Sequence, residues 1–103
     1  MSSATATKAQ FLLSKKTVGA VDLLHLATAP FMAKIIVLLG DDEMNVGQIV
    51  KAIGDTQVAV SINLRKLRMA SFVADRRDGT RIFYSLTNRG RAVLAAIATF
   101  EGV

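Results

Sequence analysis

Apolar residues recur along most of this chain at helical spacing, and the exceptions mark its other elements. Between residues 8 and 27, Leu12, Leu13, Val18, Val21 and Leu24 predict one or two helices, with Gly19 as the place for a break. His25 falls among leucines and reads as a partly buried helix residue. Pro30 suits a first helical position, where its missing N–H is harmless. Met32, Ile35, Ile36 and Leu39 then form a stripe that Gly40 ends. The acids at 41–43 read as a solvated turn. NVGQ at 45–48 has the capping-box pattern, with Asn45 as cap and Gln48 reaching back to it. Val46, Ile49, Val50 and Ile53 follow at helical spacing, and Gly54 stops that short helix.

The next stretch, VAVSINLR at 58–65, is ambiguous. Val58, Val60, Ile62 and Leu64 alternate with small or polar residues, the period of a half-buried strand. The alternation collapses after Arg65, whereas Val60, Leu64 and Leu67 make one helical stripe through the whole segment. The second half is rich in good helix formers, and Thr56 is placed to cap the first turn. A helix is therefore expected. In FVADRRDGTRIFYSL at 72–86, Asp78-Gly79 is a preferred turn pair between β-rich runs, which predicts a hairpin. Ile82, Tyr84 and Leu86 are expected to face inward. Thr87 caps a last helix with the stripe Val93, Leu94, Ile97 and Phe100.

The 103 residues suffice for a single domain, half of them hydrophobic. Residues 1–7, MSSATAT, are expected to be flexible and lack the basic-then-apolar order of a secretory signal. The longest apolar run, IIVLL at 35–39, is far too short for a bilayer. A cytosolic protein without a membrane partner is expected. Absence of cysteine removes disulfides, thiolate metal sites and thiol redox sensing. One histidine, no nucleophile motif and no phosphate-binding glycine loop leave nothing to carry catalysis, so neither an enzyme nor a cofactor is expected.

Charge is unevenly spread. Residues 65–91 hold eight of the thirteen basic residues against two of the eight acids, a net +6 within a chain of +5. A basic third on a near-neutral body is the footprint of a polyanion binder.

Helices, then a short helix, a four-residue turn and a basic helix, then a basic-tipped hairpin and a final helix: this order is that of a winged helix-turn-helix, mainly α with a small β-hairpin (α-α-α-α-β-β-α). Ala29-Pro30 with IIVLL, NVGQIVKAIG, TQVAVSINLRKLRMASFV and RRDGTRIFYSL together resemble the ArsR/SmtB family of bacterial transcriptional regulators over residues 20–86. YSLTNRGRAVL is also similar to the hairpin-to-helix junction of MarR- and PadR-type regulators. The resemblance implies DNA binding and dimerisation. It does not extend to metal sensing. MNVGQIV at 44–50 has neither Cys nor His, and residues 88–100 have no acid or His. Ala29 and Asn63 stand where family members often carry Asp and His.

With Val60, Leu64 and Leu67 inward, the other face of the recognition helix carries Gln57, Val58, Ser61, Ile62 and Arg65. Gln57 suits a bidentate contact to adenine, Ser61 suits several base edges, and Val58 and Ile62 suit thymine methyls. Thr56 and the helix N-terminus are placed for a phosphate, and Arg65, Lys66 and Arg68 for the backbone. In the wing, Arg76, Arg77, Gly79, Thr80 and Arg81 are expected to flank the minor groove. Within a domain spanning 1–103, the expected parts are dimerisation helices at 8–27 and 88–100, a helix-turn-helix at 45–70 and a wing at 72–86. Leu12, Leu13, Val18, Val21, Leu94, Ile97 and Phe100 form the expected dimer surface. The expected function is that of a homodimeric repressor on a palindromic duplex operator, with an unidentified small molecule or protein as a conceivable effector. The alternative is a winged helix that docks a protein partner through Val58 and Ile62.

Overall fold

The computed structural model describes residues 14–103. Residues 1–7 and the expected dimer residues Leu12 and Leu13 lie outside that range. The described elements are α1 (Lys15–Thr28), α2 (Pro30–Leu38), β1 (Met44–Asn45), α3 (Val46–Ile53), α4 (Gln57–Met69), β2 (Val73–Asp78), β3 (Arg81–Leu86) and α5 (Asn88–Glu101).

Helix α1 begins at Ser14, whose hydroxyl accepts the Thr17 N–H at 3.1 Å. It runs unbroken through Gly19, so the single-helix reading of these residues holds. The cap and the surrounding helix formers outweigh the roughly 1 kcal/mol that a glycine costs inside a helix. His25 is exposed rather than half-buried. Leu23, Leu26 and Ala27 carry the inner side of α1 instead. Ala29 is extended (φ −56°, ψ 138°), as the residue before a proline must be, and the chain bends by 79° between α1 and α2. No single described helix is long and apolar enough to cross a membrane.

Helix α2 is the centre of the fold and packs against all four other described helices. Its stripe of Met32, Ile35, Ile36 and Leu39 is buried, together with Ile49 of α3, Val60, Leu64 and Leu67 of α4, and Val93 of α5. Each such side chain contributes about 1.5–3 kcal/mol on leaving water. Gly40 does not end α2 in a left-handed cap, as a terminal glycine usually would. A Cβ there would stand 2.7 Å from Leu94 Cδ2. The Leu94 side chain of α5 packs closely over this position, and a larger residue would displace it.

The sheet contains one strand more than the expected hairpin. Its order is β1-β3-β2, all antiparallel, with Met44 opposite Tyr84 and Val73 opposite Leu86. Two residues are too few to leave a periodic signal, so β1 had none. The hairpin loop is also displaced by one residue. Asp78 pairs with Arg81 inside the ladder, so Gly79-Thr80 forms the loop. Gly79 has φ +62° and no other loop residue is left-handed, the arrangement of a type II′ turn. Leu86 is buried and Tyr84 packs on the core. Ile82, expected to face inward, instead lines a surface groove beside α3.

Candidate nucleic-acid interface

Helix α3 starts with the complete capping box. The Asn45 side chain accepts the Gln48 N–H and the Gln48 side chain accepts the Asn45 N–H, each at 2.9 Å. It ends at Gly54 in the left-handed conformation, φ +79°. Asp55 and Thr56 turn the chain into α4, with the Thr56 hydroxyl accepting the Ala59 N–H at 3.1 Å. This is a helix, a tight turn and a second helix, closed at both joints by the expected residues.

Helix α4 resolves the ambiguity of VAVSINLR. Val60, Leu64 and Leu67 are fully buried. Val58 and Ile62 are 70% and 50% exposed on the other side, which removes a core role for both. Gln57, Ser61, Arg65, Lys66 and Arg68 are also exposed. Asn63 turns its amide back to the Ala59 carbonyl at 2.7 Å. The Thr56 N–H is taken by Asp55 at 2.7 Å, so the first-turn donors of α4 without a described partner are those of Gln57 and Val58.

A groove of about 650 Å³ separates the start of α4 from the wing. Gln57 lies on the α4 side, Thr80, Arg81 and Ile82 on the wing side, and Gln48 and Lys51 along α3. Lys51 is exposed and was not among the sequence candidates, because it stands apart from the basic cluster of 65–91. Its signal was the polar side of α3, opposite Ile49 and Ile53.

The wing arginines divide. Arg77 and Arg81 are exposed and form no ion pair among the described residues. Arg76 donates Nε and a terminal nitrogen to the Glu43 carboxylate, at 3.3 and 2.5 Å. Its guanidinium also lies 5.0 Å from the Phe83 ring centroid and 4.0 Å from Asp78. Glu43 is therefore a wing partner rather than part of a free solvated turn. The Arg76 hydrogen bond holds the Glu43 carboxyl below its ordinary value, and the same bond raises Arg76.

Of the expected dimer residues, Val18 and Val21 of α1 are exposed, as is neighbouring Leu24. Leu94 and Ile97 are half-buried against this chain's own core, since α5 is also a core helix. Phe100, at 77% exposure, is left open from that stripe.

Known proteins share this architecture. The HTH-type transcriptional regulator KmtR of Mycobacterium tuberculosis is 36% identical over 81 residues, which are 79% of this chain and 62% of that protein. Reduced HlyU from Vibrio cholerae N16961 superposes with a TM-score of 0.79 at 26% identity, over 88% of this chain and 96% of that one. The transcriptional repressor BigR from Xylella fastidiosa superposes at 0.72 and 29% identity, over 85% and 92% of the two chains. The chain has the winged helix-turn-helix fold of these transcriptional regulators, in keeping with the ArsR/SmtB resemblance of its sequence. No family model matches it. The chain spans less than two thirds of the length of KmtR. Within the winged-helix frame, α3 and α4 are the helix-turn-helix and β2–β3 the wing. The basic groove lies between the two.

Proposed function

We propose that this chain is a DNA-binding transcriptional regulator that acts as a homodimeric repressor. One observation carries the reading: α4 buries one apolar stripe completely and turns Gln57, Val58, Ser61, Ile62 and Arg65 to solvent. A face of that width and chemistry suits the major groove. Gln57 and Ser61 supply base-edge hydrogen bonds, and Val58 and Ile62 supply apolar contacts to thymine methyls. Arg65, Lys66, Arg68 and Lys51 supply phosphate contacts, with Arg77 and Arg81 at the minor groove.

A single short helix reads too few base pairs for useful affinity, so two copies on a palindrome follow. Val18, Val21, Leu24 and Phe100 are exposed apolar residues on α1 and α5 that can join them. The regulator senses neither thiol oxidants nor metal. The chain has no cysteine, and residues 44–50 and 88–100 hold none of the Cys, His or acidic residues that a metal site there would need. The relatives are named as regulators rather than enzymes, which favours a non-enzymatic, cytoplasmic role.

The exposed pair Val58 and Ile62 also fits a second reading, a winged helix that docks a protein partner. In-vitro selection from randomised duplex DNA separates the two. The DNA reading expects a palindrome with A·T-rich flanks, and loss of binding in an Arg65→Ala, Arg77→Ala variant. No enriched site, or a site bound equally by the variant, overturns it.

A further inference from the structure

The carboxyl end of α4 is held by the first residues of α5, and Arg89 is the long arm of that hold. Helix α4 closes with the Ser71 N–H on the Arg68 carbonyl at 3.0 Å and the Phe72 N–H on the Leu67 carbonyl at 2.9 Å. Those two bonds are a Schellman ending. Three successive carbonyls beyond it are then taken from a single short segment. Arg89 donates to Ala70 O at 2.7 Å. The Thr87 hydroxyl donates to Ser71 O at 2.6 Å. The Thr87 N–H donates to Phe72 O at 3.1 Å. The Arg89 guanidinium also lies 6.0 Å from the Phe72 ring centroid. Phe72 is itself buried, so that side of the contact does not move.

A cation at the carboxyl end of a helix is favoured by the helix dipole. A hydrogen bond from a charged donor is also stronger than a neutral one. The bond therefore adds a charged donor to an end of α4 that the Schellman bonds and Thr87 already close, and sets its orientation against α5. The far end of α4 carries Gln57 and Val58. Thirteen residues make a lever of about 20 Å. A tilt of about 5° at the clamped end moves those side chains by about 2 Å on such a lever, enough to break hydrogen-bond geometry at a base edge.

We infer that Arg89 is a positioning residue for the recognition helix and not a phosphate ligand, although it belongs to the basic segment. The inference rests on the DNA-binding reading above. A phosphate contact and a positioning contact differ in one measurable way. Removing a phosphate contact flattens the dependence of log K on log salt by about one per contact, whereas removing a positioning contact weakens binding without changing the slope.

The test measures fluorescence anisotropy on the selected duplex, from low to moderate salt, for the wild type and for Arg89→Met, Arg89→Lys and Arg65→Ala. Arg89→Met is expected to bind about tenfold more weakly, the effect of losing one charged hydrogen bond, with the wild-type slope. Arg89→Lys keeps the charge but not the planar fork and is expected to recover only part of the loss. Arg65→Ala is expected to flatten the slope. A flattened slope in Arg89→Met, or unchanged affinity, overturns the inference. Thermal melting is followed in parallel: a lowered midpoint with unchanged affinity in the cold marks a merely structural residue and also overturns it. If Arg89→Met does not fold, Arg89→Lys decides alone, because lysine replaces a phosphate cation without loss. A wild type that binds no duplex sinks the DNA reading and this inference together; a wild type that binds beside an unaffected Arg89→Met sinks only this one.

Discussion

Arg76 and Glu43 lie 33 positions apart, yet the guanidinium grips the carboxylate through two of its nitrogens. Arg76 sits in β2, and Glu43 directly precedes β1, the strand on the far side of β3. The pair therefore spans all three strands across one face, with Phe83 of β3 beneath the guanidinium. It ties the wing to the chain that enters the helix-turn-helix. Both groups are accessible to solvent, so its contribution to global stability is small; the constraint it adds is local, between β2 and the residue before β1.

The sign of its pH dependence follows from Glu43. Arg76 lowers that carboxyl from its ordinary value, so the pair contributes fully above the unfolded glutamate pKa. The contribution is lost as pH falls through the lowered folded value. A carbon-detected NMR titration is expected to place Glu43 below the ordinary glutamate range, and Arg76→Met to return it there. A Glu43 titration identical in the two proteins contradicts the pair.

Salt dependence tests the electrostatic half of the interface. If a dimer neutralises about six phosphates, log K falls against log salt with a slope of about −5. Lys51→Ala, Arg65→Ala and Arg77→Ala are each expected to flatten it. Affinity indifferent to salt removes this half of the interface.

Ile62→Gln probes the specific half. Ile62 is 50% exposed, so the change is expected to shift stability by less than about 0.5 kcal/mol while altering the sequence enriched from random DNA. Circular dichroism and a repeated selection check both parts. An unfolded variant means that Ile62 is needed for packing.

Gly90→Ala is expected to be the most damaging single-methyl change in the chain. A Cβ at Gly90 would stand 2.2 Å from the Phe72 carbonyl oxygen. That oxygen already accepts the Thr87 N–H and has nowhere to retreat. A loss of about 3 kcal/mol or more is expected in urea unfolding, and a wild-type midpoint would contradict the contact.

Ser71→Gly is expected to act in the opposite direction. Ser71 has φ +65°, the one non-glycine residue in the left-handed region among those described. A side chain there costs about 1 kcal/mol that glycine does not, and Ser71 is exposed with no packing to lose. The same unfolding assay is expected to show a gain of some tenths of a kcal/mol up to about 1 kcal/mol.

Local chemistry was legible in the sequence wherever an element's own residues decided it. The Asn45–Gln48 box, Pro30 at the head of α2, left-handed Gly54, and the Thr56 and Thr87 caps all act within a few positions of themselves. The choice of helix for VAVSINLR was also legible, since a stripe continuing to Leu67 has one periodic solution. What the tertiary structure decided were the pairings across long sequence separations. Which arginines are already engaged within the chain depended on Glu43 and Phe83 for Arg76, and on Ala70 and Phe72 for Arg89. Formal charge carries no information about a partner 19 or 33 residues away. The same holds for β1, two residues made a strand by β3, and for Gly90, where the Phe72 carbonyl leaves no room for a Cβ. Periodicity and capping determined where the helices and the hairpin lie. Packing determined which of its charges remain free to meet a partner, because only packing brings distant chain segments within reach of a hydrogen bond.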